Sequence, residues 1–214
     1  MSGLVGRYRA ERLPVALLAM VSMLLAVAAQ LTHRSTLTDV PSDAGLALLL
    51  FVICRSLDDI ADRGADRLRH PERVLTQASS VAPLFATLAV LACAVMVVLT
   101  QRGGSWPVLL AFLALIALAG ASPAWRGPRS LARDHLLLAK YPAIVWILTA
   151  SRRVPLDAPE ARVLLGLAAT YLAACVYEAA HDAASPAAAR PGLVVAEGLL
   201  LVSALTALSL GGHA

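Results

Sequence analysis

The chain has 214 residues, of which 59% are hydrophobic and only 15% charged, with a mean hydropathy of +0.74. An ordinary soluble domain is ~45–50% apolar and ~25% charged, and a soluble fold of this size has too little interior to hide so much apolar surface. This composition excludes most soluble enzymes, disordered chains and disulfide scaffolds and points to an integral membrane protein. The net charge of +4 reflects arginines flanking membrane spans, and with no basic soluble domain no nucleic acid partner is expected.

The apolar runs, in chain order, lie near 13–31, 44–62, 80–100, 106–124, 134–150, 161–180 and 192–211. A bilayer-crossing helix needs ~20 apolar residues, and lipid cannot satisfy open backbone groups. The expected fold is therefore all-α, a polytopic transmembrane helical bundle of about seven spans. No repeat, linker or low-complexity tail divides it, so a single domain over residues 1–214 is expected. Arg7, Arg9 and Arg12 precede the first run, and Ala26-x-Ala28 resembles a signal-peptidase site; we read the run as a first membrane helix. With the N-terminus cytoplasmic, arginines divide 12 to 5 in favour of the cytoplasmic segments, which supports that orientation. The second and sixth runs then both end in charge on the cytoplasmic face. The three cysteines, Cys54, Cys93 and Cys175, sit in apolar runs without CxxC or His-paired spacing, and read as small buried hydrophobes rather than disulfide partners or zinc ligands.

The end of the second run carries the most informative pattern. With Asp58 at 0° and ~100° per residue, Asp62 falls at ~40°, Asp66 at ~80° and Asp59 at ~100°. Four carboxylates on one ~100° arc repel unless cations sit among them, and an oxygen-rich cluster of this kind suits Mg²⁺ held jointly with substrate phosphates. Arg67, Arg69 and Arg73 follow closely and can grip phosphate oxygens. A solvated charge run would mix both signs on one face; this helix concentrates acid at four-residue spacing instead.

At the end of the sixth run, Glu178 and Asp182 are four residues apart and share a helix face. Ionisable groups at that depth are expensive and usually functional. His181 beside them reads as a plain interfacial histidine, and Glu197 in the last run reads either as a cavity-lining group or as a neutral, hydrogen-bonded acid. Lys140, the one lysine of the chain, either snorkels to the surface or meets an anion in a polar cavity; a diphosphate partner is the reading we prefer.

Taken together, Asp58-Asp59-x-x-Asp62-x-x-x-Asp66, then Arg67-Leu-Arg-His-Pro71-Glu72-Arg73-Val74-Leu75, Ser122-Pro123, Lys140 and Glu178-x-x-x-Asp182 resemble the UbiA superfamily of intramembrane prenyltransferases in order and in sidedness. The family's first motif is Asn-Asp-x-x-Asp-x-x-x-Asp with a following Pro-x-Arg-Pro-Leu, and its second is Asp-x-x-x-Asp. Here Asp58 stands for the Asn and Glu178 for an Asp. The chain also has room for one helix after the second motif, where the family has two or three. A second copy of the chain, or lipid, would supply the missing wall.

The resemblance implies a UbiA-like bundle in which two Mg²⁺ ions and an allylic prenyl diphosphate sit between the acid motifs. Asp58, Asp59, Asp62 and Asp66 would hold one ion, Glu178 and Asp182 the other. Arg67, Arg73, Lys140, Tyr141 and Tyr177 would contact the diphosphate, with Asp58, Asp59, Asp62 and Lys140 the catalytic set. Ionisation would feed transfer of the prenyl group to a hydrophobic, aromatic-type acceptor. The alternative is a terpene cyclase of the same superfamily, in which the chain's own double bonds attack. A phosphotransferase of the CDP-alcohol type needs a Gly-x-x-Ala-Arg run that is absent here, and a transporter places its charges near the bilayer midplane. The expected location is a multi-pass position in a membrane, the inner or plasma membrane if the chain is bacterial, with the site on the cytoplasmic face.

Overall fold

Prolines and glycines set where the helices of this chain begin, bend and stop. The computed structural model describes residues 3–33, 39–121, 130–152, 160–182 and 185–210. Within them ten helices follow one another: α1 Leu4–Arg12, α2 Val15–His33, α3 Val40–Arg69, α4 Val74–Gln77, α5 Ala82–Gln101, α6 Trp106–Ala121, α7 Leu131–Leu138, α8 Lys140–Ala150, α9 Glu160–His181 and α10 Pro191–Leu210. Among the described residues there is no strand.

Pro14 separates α1 from α2. The residue before a proline is pushed out of the helical region, and Leu13 sits at φ −122°, ψ 67°. The turn between α5 and α6 is a Schellman motif. Gly103 takes a left-handed φ of 86°, Gly104 N–H donates to Leu99 O at 2.8 Å, and Gly103 N–H to Thr100 O at 3.1 Å. A Cβ on Gly104 would stand 2.7 Å from that same Leu99 oxygen, so the turn also requires glycine for space. Pro142 divides the fifth expected run in two. Its ring opposes the carbonyl four residues earlier, which belongs to Leu138, the last residue of α7.

Among the described residues, four helices are long and apolar enough to cross a membrane: α2 over Val15–Thr32, α5, α9 and α10. That is fewer than the seven expected. α3 carries the acids and arginines of its second half, α6 has 16 residues, and the fifth run is broken into α7 and α8. α3 has 30 residues and is about 45 Å long, well beyond the ~30 Å hydrocarbon thickness. Four apolar helices of this length point to a membrane protein. Their outward faces agree: Leu24, Val90, Leu164, Leu199 and Val202 are all strongly exposed, as lipid-facing side chains must be.

The core gathers around α3 and α8. Leu46, Ala47, Leu50 and Ile53 of α3 pack with Ile144, Val145, Ile147 and Leu148 of α8 and with Val95 and Leu99 of α5. α2 lies against α3, α8 and α9, and α10 packs on α9. α8 touches both α3 and α9, so it stands between the helices that carry the two acid motifs. α2 and α9 cross closely at Gly166. A Cβ there would overlap the Thr32 hydroxyl and meet Thr32 Cβ and Cγ2 at 3.1 Å.

Candidate functional site

One end of α3 presents Asp58, Asp59, Asp62 and Asp66, and each meets a cation delivered by a different part of the chain. Asp58 pairs with Lys140 at the start of α8. Asp59 pairs with Arg12 of α1 at 2.7 Å and with Arg55 at 3.3 Å. Asp62 faces Arg133 of α7 at 3.8 Å. Asp66 pairs with Arg73, in the link before α4, at 2.6 Å. Four like charges within two turns of a helix are tolerable only under such compensation.

The four acids are not equivalent. Asp59 is buried, with its side chain 7% exposed, and both its oxygens are committed. Oδ2 accepts from the Tyr8 hydroxyl at 2.9 Å and from Arg12 Nε at 3.2 Å, while Oδ1 accepts from Arg12 Nη2 at 2.7 Å. Burial, and then the charge of Asp59, push the Tyr8 hydroxyl well above the usual phenol range. The geometry thus ties Asp59 to α1, a helix that Arg7, Arg9 and Arg12 had suggested only as a basic flank. Asp62 is the open acid, its side chain 53% exposed. Asp58 is largely buried beside Lys140, and its Oδ1 is enclosed with no hydrogen-bond partner.

Lys140 does not snorkel outward: its side chain is 14% exposed and directed at Asp58. The break at Pro142 makes this geometry. It starts α8 at Lys140 and sends that side chain toward α3 rather than along a continuous helix. Tyr141 follows, its ring 5.6 Å from Lys140 Nζ and 6.2 Å from the Phe51 ring of α3. Asp58, Lys140 and, from α9, Glu178 all lie within electrostatic reach of the Tyr141 hydroxyl. Asp58 of the first acid motif and Glu178 of the second thus both act on Tyr141. Glu178 and Asp182 are half-buried at the end of α9.

Other expected residues lie further out. Arg67 is exposed on the far part of α3. Tyr177 is half exposed and stacks on His181, ring centroids 4.6 Å apart. Arg63, unremarked in the pattern, donates to the carbonyls of Leu75 and Ala78 and ties the link after α3 back to the helix. Ser122 and Pro123 lie outside the described residues.

The opposite end of α3 holds a second charged knot that the sequence did not signal. Asp43 is fully buried and paired with Arg102 after α5 and Arg152 after α8, and it accepts from Gln30 Nε2 at 2.8 Å. Its partners are scattered over 122 residues, with no spacing to reveal them. This knot joins α2, α3, α5 and α8 at one end and leaves the other end of α3 to the aspartate cluster.

Hard carboxylate oxygens suit a divalent cation of the Mg²⁺ type, and the enclosed, unpartnered Asp58 Oδ1 beside the open Asp62 fits such an ion. Asp59, with both oxygens taken, does not offer itself in the same way. No protein-family model, no curated protein and no solved structure matches the chain.

Proposed function

We propose that the chain is a Mg²⁺-dependent intramembrane prenyltransferase of the UbiA type, which ionises an allylic prenyl diphosphate and passes the prenyl group to a hydrophobic acceptor. The observation that carries this reading is the set of Asp58, Asp62 and Asp66, each held by a cation from a different part of the chain, with Asp58 and Asp66 largely enclosed and Asp62 open. Such an arrangement is charge-balanced without ligand, and it separates into two useful sets when metal and diphosphate enter together. The acids would turn to the metal. Lys140, Arg133 and Arg73 would be released toward phosphate oxygens.

When bound, Mg²⁺ supplies neutralisation of the charge that builds on the leaving diphosphate. The chain's own residues do the rest. Asp58, Asp62 and Asp66 would hold the ion from α3, with Glu178 and Asp182 at the end of α9 as its further ligands. Lys140, buried against Asp58, is placed to hold a phosphate oxygen at the α8 break. Asp59 acts through Arg12 and Tyr8 by fixing α1 and the register of α3, which makes it a positioning residue. The apolar bundle above would take the prenyl tail and exclude water. The location is the plasma membrane, with this site on the cytoplasmic face, where the arginine bias puts it.

A cyclase acting without acceptor is the second reading, and the Phe51–Tyr141 pair favours it. Two aromatic faces next to Lys140 are suited to steadying a carbocation. Incubating purified full chain with allylic prenyl diphosphates of several lengths and Mg²⁺, with and without aromatic acceptors, tests both. A prenylated acceptor supports transfer, and a cyclic hydrocarbon or alcohol without acceptor supports cyclisation. If diphosphate is never released under either condition, both readings fail.

A further inference from the structure

α10 is a lipid-type helix with one anomaly. Val195, Leu199, Leu200 and Val202 are exposed, and its buried residues are only Ala204 and an acid, Glu197. An ionisable group is costly in such surroundings without a partner of opposite charge. Glu197 is 7% exposed and faces His135 of α7, with Oε1 3.2 Å from His135 Nε2. Its other oxygen, Oε2, is enclosed with no hydrogen-bond partner, as is His135 Nδ1. Cys175 of α9 completes the group: its sulfur, an imidazole nitrogen of His135 and a Glu197 oxygen lie within 4.8 Å of one another. Cys175 is buried and not in a disulfide.

We propose that His135, Cys175 and Glu197 form a binding site for a borderline transition-metal dication, Zn²⁺ in kind, distinct from the aspartate cluster of α3. The chemistry of the donors selects the ion. A thiolate beside an imidazole and a carboxylate suits Zn²⁺ and not Mg²⁺ or Ca²⁺. The spacing is suitable, since a tetrahedron with ~2.0 Å metal–nitrogen and metal–oxygen bonds has edges of ~3.3 Å, close to the 3.2 Å His135–Glu197 separation. Charge favours it as well. One thiolate and one carboxylate cancel a dication, so the filled site is neutral, which an apolar bundle needs. Binding releases the Cys175 thiol proton to solvent, and the sulfur lone pair forms the bond to the metal. The Tyr171 hydroxyl donates to the His135 carbonyl at 3.3 Å, an outer contact of the kind that fixes a ligand's backbone. The bound ion would fasten α10, which packs on α9 and accepts there from Arg162 through the Leu208 carbonyl, to α7. α7 is the same short helix that brings Arg133 to Asp62.

The test uses the full chain in detergent, stripped with chelator and titrated with Co²⁺ as the spectroscopic stand-in, then with Zn²⁺. The expected result is a sulfur-to-cobalt charge-transfer band with tetrahedral d–d bands, saturating near one equivalent and erased by Zn²⁺. Cys175→Ser should lose the charge-transfer band, while Cys54→Ser and Cys93→Ser should keep it. Glu197→Gln and His135→Gln should weaken Co²⁺ binding by more than the ~10-fold that loss of an outer-shell contact costs. A wild-type chain that shows no such band overturns the proposal whether or not any variant folds. A band that survives in Cys175→Ser of native helicity overturns it equally. Neither result bears on the prenyl diphosphate reading, which uses none of these three side chains.

Discussion

Among the acids of the α3 motif, Asp59 is the one most enclosed by partners from elsewhere in the chain. Its contacts to Tyr8, Arg12 and Arg55 make it a buried ion-pair hub. Removing one partner of such a hub leaves charge uncompensated, at a cost of several kcal/mol when no other cation is near. Arg55 remains in reach, so Arg12→Ala should destabilise the chain by about 2–3 kcal/mol, read as a lowered unfolding midpoint in detergent, with residual turnover in the folded fraction. Tyr8 adds a pH signature. Its folded pKa lies above the ordinary 10.0, so its contribution is present below pH 10 and is lost as pH climbs through the folded value. Tyr8→Phe should therefore abolish the part of the alkaline destabilisation above pH 10 that the wild-type chain shows. Equal alkaline loss in both proteins would remove this assignment. Asp62 behaves oppositely: open and weakly paired, it is the acid whose change to Asn should abolish Mg²⁺-dependent turnover while leaving the melting midpoint nearly unchanged.

At the scale of the elements, two backbone decisions shape the site. The α7–α8 break places Lys140 at a helix start facing Asp58, and Pro142 imposes it. Pro142→Ala should let α7 and α8 join, turn Lys140 away from Asp58 and cut turnover by an order of magnitude or more while total helicity by circular dichroism holds or rises. Unchanged turnover would detach the break from the activity. The α2–α9 crossing depends on Gly166, because both branches of Thr32 crowd the missing Cβ. Thr32 Cβ itself lies 3.1 Å away, so turning the hydroxyl aside still leaves a tight contact, and Gly166→Ala should cost about 1–3 kcal/mol; Thr32→Ala in the same chain should recover most of it. The sequence made the helical class and the acid spacing legible because both are local, periodic signals. It did not reveal α1 as a separate helix clasping Asp59, since Tyr8 and Arg12 find Asp59 only across 51 and 47 residues. The same distance in sequence hid the Asp43 knot and the meeting of His135, Cys175 and Glu197. Cys175 has no His-paired spacing along the chain, yet α7 brings it a histidine and α10 a carboxylate. Of the seven expected runs, four stand as helices long and apolar enough to cross a membrane among the described residues; the charge in the second half of α3, the 16 residues of α6 and the break in the fifth run set the others apart.

For the molecule as a whole, polar groups divide by end and by depth. Asp43 with Arg102 and Arg152 locks one end of α3, the four aspartates occupy the other, and α3 and α8 between them are packed with branched aliphatic side chains. Among the described residues, the outer helices carry exposed apolar faces, in keeping with a bundle solvated by lipid. A molecule built this way gathers a buried Asp43 knot at one end of α3 and four aspartate ion pairs of unequal burial at the other. That is the arrangement a metal and diphosphate would need in order to enter and leave. The most direct measurement is release of inorganic diphosphate from an allylic prenyl diphosphate by the purified chain, followed with and without Mg²⁺ and in Asp62→Asn. We expect release that requires Mg²⁺ and falls to background in the variant, with its fold intact. Release that persists at full rate in chelator, or in Asp62→Asn, would mean that the acids of α3 serve only to hold the bundle together.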